Sequence, residues 1–202
     1  FCIMAISYPL SLPTATGIKS ITWTMVNSVS YSESPFTFEG QVHAYNGERW
    51  EADITLPRMK RASAEQWISF LASLRGRYGT FLLNDPDATS PRGTATAATI
   101  SGSAGDRTVS ATVTSGDTLL AGDYLQLGTG SDSTLHKVLA NFTGTGSAAN
   151  LEIFPALRKT RSSVSADLTS ASGLFRLSSN ETSWNADDVS TYGISFGAVE
   201  VV

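Results

Sequence analysis

The sequence predicts a mainly β protein: a discontinuous β-sandwich with one packed α-helix at about 63–75 and an inserted small β-barrel or sandwich. Three observations predict it. Apolar residues alternate with period two over the first sixty positions and again over the last ten. One stripe of period 3.6 follows the early strands. Between that stripe and the closing strand lies a long segment rich in Gly, Ser, Thr and Ala, with short β-like runs cut by turn residues. The 202 residues are 41% hydrophobic and 16% charged, enough to build a core but with less charge than is usual.

The elements follow in order. Ile21, Trp23, Met25, Val29 and Tyr31 fall on one face of a strand, with Thr22, Thr24, Ser28, Ser30 and Ser32 on the other. Phe36, Phe38, Val42 and Ala44 continue on even positions, and Trp50, Ala52, Ile54 and Leu56 do the same after "YNGE". A two-residue Asn46-Gly47 turn would set Val42 opposite Glu51 and mix the faces. A three-residue loop, Tyr45–Gly47, instead pairs Val42 with Trp50, Phe38 with Ile54 and Phe36 with Leu56, with Gly47 at a left-handed bulge position. Pro57 ends the strand. Ser63 and Gln66 read as a capping box, Trp67, Phe70, Leu71 and Leu74 as the buried stripe, and Gly76 as the C-cap beside Arg75. "RYGTFLL" at 77–83 returns to strand character.

The middle segment offers "TVSATV", "DYLQLG", "LHKVLANF" and "LEIFPAL" as strands, with "GTGS" loops at 128 and 144. "TYGISFGAVEVV" resumes alternation and is expected to close the sheet begun near residue 18. These readings assign 1–93 plus 166–202 to a discontinuous host domain and 94–165 to the insert. Pro91-Arg92-Gly93 becomes a junction about which the two halves flex.

Chemistry is sparse. A net charge of −4 disfavours nucleic acid as a bulk partner. The single cysteine, Cys2, gives neither a disulfide framework nor a thiolate metal site. No apolar run reaches the length of a membrane span. Met4 reads as a natural start, with 1–3 an upstream extension. His43 and His136 read as ordinary surface or interface histidines, without ligand spacing or a triad partner. Asp85 and Asp87 could be drawn as an acid pair or a calcium site, but beside Asn84 and Pro86 they read as turn formers, as do Asp117 and Asp123. Trp23, Trp50 and Trp67 belong to buried faces; Trp184 stays open as a sugar-stacking ring. "NETS" at Asn180 matches the glycosylation pattern. Arg58, Lys60, Arg61, Arg75, Arg77 and Arg92 form the one local basic excess. The first three precede the helix and the next two follow it, so they flank opposite ends rather than form one stripe. Solvated ends or subunit contacts to acidic neighbours fit better than nucleic acid, and the six are assigned as a candidate subunit interface. No catalytic residue, cofactor or metal is assigned.

The order of features carries a resemblance. Trp50 precedes a strand ending in Pro57-x-Met59, then come Trp67-x-x-Phe70-Leu71-x-x-Leu74-x-Gly76, "GTFLLNDP" and Pro91-Arg92-Gly93. The insert carries "AGDYLQLG", "VLANFTGTG" and "LEIFPALR", and "GLFRLSSNETSW" follows. Over about residues 8–202 this run resembles tail proteins of long-tailed bacteriophages, especially distal tail and minor tail proteins. The resemblance implies a non-enzymatic virion protein, made in the bacterial cytoplasm. Its copies would form a ring, usually hexameric, joining the tail tube to the tip or baseplate hub. A second β-domain would project from the ring, although in many such proteins it follows the ring domain rather than interrupting it. A tail-completion or other minor tail protein, or an insert making weak glycan contacts with the host surface, is the alternative.

Overall fold

The computed structural model describes residues 6–186 and 191–202; the readings placed on Cys2 and Met4 lie outside them. The chain runs β1 (Ser20–Glu33), β2 (Gly40–Thr55), β3 (Met59–Lys60), α1 (Arg61–Leu74) and β4 (Phe81–Asn84). It then builds β5 (Ala98–Gly102), β6 (Thr108–Val113), β7 (Thr118–Leu119), β8 (Tyr124–Leu127), β9 (Thr134–Val138), β10 (Phe142–Thr143), β11 (Ala149–Phe154) and β12 (Arg161–Asp167). It returns through β13 (Ser172–Leu177), β14 (Trp184–Ala186) and β15 (Thr191–Glu200). The class is mainly β with one helix, as expected. A seven-stranded sheet has the order β1-β2-β15-β13-β4, with β3 and β14 on the far length of β15. Six of the intervening strands close a barrel in the order β11-β6-β5-β12-β8-β9.

The helix forms where its period predicts. Trp67, Phe70, Leu71 and Leu74, joined by Ala64, are all buried. Its ends differ from expectation. Lys60 is the N-cap, without a side-chain hydrogen bond, so Ser63 lies inside the first turn and the capping box does not form. At the other end Arg75 itself takes the left-handed cap (φ 51°) and donates its N–H to the Ala72 carbonyl, with Gly76 following at φ 67°. A helix whose stripe must meet the sheet starts where the strand delivers it, and local capping chemistry yields.

The Tyr45–Gly47 hairpin is not there. β2 is one continuous strand that pairs along β1, with Ile21 opposite Ile54, Met25 opposite Trp50 and Tyr31 opposite Val42. Phe36 and Phe38 sit in the connecting turn, where the Ser34 carbonyl accepts the Phe38 N–H at 2.9 Å. Tyr45, Asn46 and Gly47 form a bulge: the register passes from Asn27–Glu48 to Val29–Ala44 across them. The Asn-Gly signal is satisfied by that irregularity rather than by a chain reversal. β15 joins the sheet begun by β1, as its alternation predicts. It lies in the middle, between β2 and β13.

Two cores result. Trp50, Ile54, Trp67, Phe70, Phe81, Phe175 and Phe196 anchor the one between sheet and helix. Ile100, Val109, Leu119, Leu125, Leu127, Leu151 and Ile153 fill the barrel. Tyr124, Leu135 and Phe154, all barrel residues, belong to the sheet's core rather than the barrel's. The barrel is therefore packed into the host.

Candidate functional site

A buried group of ionisable side chains lies at the seam between sheet and barrel. Glu48 and Glu200 are buried at the seam although they come from opposite ends of the chain. Glu200 accepts from the Trp50 backbone N–H at 2.9 Å and from Arg158 Nη2 at 2.6 Å. Glu48 accepts from the Ala156 N–H at 2.8 Å and from Arg107 Nε at 2.7 Å, while its own carbonyl takes a second Arg158 bond at 2.7 Å. Each carboxylate oxygen thus has a donor from a fixed backbone or a guanidinium, which is how a buried charge is made tolerable. Trp50 packs edge-on against Phe154 at 5.1 Å beside this cluster and donates its indole N–H to the Leu135 carbonyl at 3.2 Å. Glu48 and Arg107, and Trp50 and Phe154, sit on opposite sides of the seam. The arrangement locks two bodies together.

His136, expected near the surface, is fully buried in β9. Its Nδ1 lies 2.8 Å from the Pro155 carbonyl and its Nε2 lies 3.0 Å from the Thr134 hydroxyl. A carbonyl can only accept, so Nδ1 carries the hydrogen and Nε2 takes the threonine's. Burial, with Arg158 and Arg161 nearby, pushes its pKa down to about 4 despite the Pro155 bond. The folded state therefore resists protonation, whereas the unfolded chain gains a proton near the ordinary value of about 6.5. The contribution is complete above that value and is lost as pH falls from about 6.5 toward 4, roughly 3 kcal/mol over the window. Urea unfolding of His136→Gln across that range should show a clearly shallower loss than the parent. Equal slopes would contradict the assignment.

The aspartates behave as turn formers and go further. Asp85 accepts the Asp87 N–H at 3.1 Å. It also faces Tyr124, whose hydroxyl is held protonated far above its ordinary range, first by burial and then by this carboxylate. Asp123 is buried and accepts three backbone N–H groups, from Arg92 at 2.7 Å, Gly93 at 3.2 Å and Leu120 at 2.8 Å. A Cβ on Gly93 would lie 2.0 Å from the Thr118 carbonyl oxygen, so only glycine fits there. The expected flexing junction is thus sewn down at Arg92-Gly93, and the seam behind it is packed. Among the described residues no group of three or more His, Cys, Asp or Glu is arranged to hold a metal.

The six basic residues do not form one surface. Arg58, Lys60 and Arg61 lie exposed at the start of α1, with Arg61 Nε 3.2 Å from Glu65. Arg75 and Arg77 lie at its other end, about 20 Å away along a helix of this length; there the Arg77 N–H is capped by Asn180 Oδ1 at 3.1 Å. Arg92 sits at the barrel junction, its guanidinium 3.3 Å from the Ala121 carbonyl. All three insert aromatics, Tyr124, Phe142 and Phe154, are buried. Trp184 is 49% exposed in β14. Near it in sequence, a groove of about 400 Å³ on the sheet is lined by Asp53, Thr55, Ser178, Glu181 and Ser195.

A further surface was hidden in the alternation. Beyond Trp50, β1 and β2 leave the body as a two-stranded arm in which Met25, Val29, Tyr31, Phe36, Phe38 and Val42 are exposed. Sequence reasoning placed these side chains inward. The available signal was length: strands of 14 and 16 residues outrun a sheet whose other edge strand has four. No family model matches the chain, and no curated protein matches it significantly.

Proposed function

We propose that the chain is a structural protein of a long-tailed phage virion, a distal tail protein whose copies close a ring of six between the tail tube and the tip or hub. One observation carries the reading: the arm presents an amphipathic ribbon with one apolar face in water, which is what a subunit awaiting neighbours offers and a free-standing monomer rarely keeps. The order of sequence features that resembles tail proteins supports it, and so does the locked seam, which gives a rigid two-body subunit suited to a repeating assembly. Interfaces that repeat head to tail close into rings when the rotation allows.

The mass of the purified chain, with imaging of the particle, tests the reading. A closed ring stacked on a tube is expected; a stable monomer that binds oligosaccharide would sink it. Arg75→Glu with Arg77→Glu probes the basic end of α1. Assembly should fail while thermal unfolding of the subunit stays within a few degrees of the parent. Unchanged assembly would remove these arginines from the contact.

A further inference from the structure

The exposed face of the arm continues a buried one. Ile21, Trp23 and Trp50 occupy it in the body, packed in or against the sheet's core. Met25, Val29, Tyr31 and Val42 extend the same face outward, with Tyr31 paired to Val42 and Val29 to Ala44. The opposite face carries Ser30 paired to His43 and Ser32 paired to Gln41. A Cβ on Gly40 would lie 2.6 Å from the Tyr31 ring, so this glycine lets the ring lie across the ribbon. At the tip Phe36 is 91% exposed and Phe38 is 76% exposed. Phe38 also holds a left-handed backbone, φ 58°, where glycine or asparagine is the relaxed choice. An aromatic kept in water on strained backbone points to contact.

The exposed apolar side chains from Met25 to Val42 amount to roughly 800 Å², about one partner's share of a standard interface. Outside the arm, the exposed large hydrophobics among the described residues are Ile6, Tyr78, Leu139, Trp184 and Val202, which lie far apart in the chain, while Tyr45 at the β2 bulge packs edge-on against His43 at 4.6 Å. Among the described residues the body offers no second stripe of this length, so the matching surface is the arm itself. Glu33 and Glu39 flank each tip, and two tips brought together would repel. We infer that the arm stacks, apolar face to apolar face and antiparallel, on the arm of a second copy of this chain, each tip over the other's base. The contact is two-fold and self-complementary, so it pairs two copies and leaves the head-to-tail contact that closes a ring to another surface, with the ribbons about 10 Å apart as in packed sheets.

The inference rests on the proposed structural role only in requiring self-association. Its test is sedimentation of the full chain over a wide concentration range, with Val42→Lys on the apolar face and Ser30→Lys on the polar face as control. Both positions are exposed, and thermal unfolding checks that each variant folds. The parent and Ser30→Lys should associate alike, with Val42→Lys weakened about thirtyfold or more, as at an interface hot spot. Parent-like association of Val42→Lys overturns the arm contact and leaves the ring reading standing. Loss in Ser30→Lys as well overturns the choice of face. A parent that stays monomeric at every concentration overturns both the arm contact and the ring.

Discussion

Trp50→Ala should cost about 4 kcal/mol, measured by urea unfolding, in the range for a fully buried tryptophan cut to a methyl. The residue is 1% exposed and meets Trp23 at 5.8 Å, Phe154 at 5.1 Å and Tyr124 at 6.3 Å, so the void cannot close from one side. Truncation also leaves the Leu135 carbonyl without its indole donor. Because two of those rings belong to the barrel, the change should loosen the coupling between barrel and sheet as well as lower stability. Near-ultraviolet dichroism and fluorescence, followed separately, should part into two transitions in the variant where the parent shows one. A loss below 2 kcal/mol with a single transition would mean that the seam tolerates the void.

Arg158→Met should cost about 3–5 kcal/mol, the usual penalty for removing one member of a buried ion pair. Arg158 and Glu200 are 9% and 2% exposed at the side chain and meet at 2.6 Å. Methionine fills much of the space but leaves Glu200 charged, held by the Trp50 N–H. Pairing the change with Glu200→Gln should recover part of the loss, a coupling of about 1–3 kcal/mol between residues that share a network. Strict additivity in that cycle would show that the two do not act through each other.

Much of the architecture was legible because it is local. The stripe of Trp67, Phe70, Leu71 and Leu74 needs only its own period, and the barrel strands at 108–113 and 124–127 are framed by Gly-Asp turns. The Asn46-Gly47 signal misled for the same reason. A dipeptide reports that the backbone departs from regular extension, and both a reversal and a bulge meet that description. Alternation likewise separates two faces without saying what covers either, so Val42 and Ile54 look alike although one is bare and the other buried. The seam was illegible for another reason. Glu48, Arg107, Arg158 and Glu200 lie up to 152 residues apart, and it takes both the pairing of β2 with β15 and the packing of the barrel on the sheet to bring them together. Asp123 and the Arg92-Gly93 backbone it holds are thirty residues apart and carried no shared pattern.

The central position of β15 also sets an order of events during synthesis. The barrel strands are contiguous in sequence, from β5 to β12, so they can pair as soon as they emerge. The sheet cannot, because the strand joining β2 to β13 is the last of the described strands to leave the ribosome. Until it arrives, Trp50 lacks the carboxylate that accepts its N–H, and Arg158 lacks its partner. Glu200 completes both at once. β15 thus works as a keystone: the contacts between the two halves are complete only when this strand drops into the middle of the sheet.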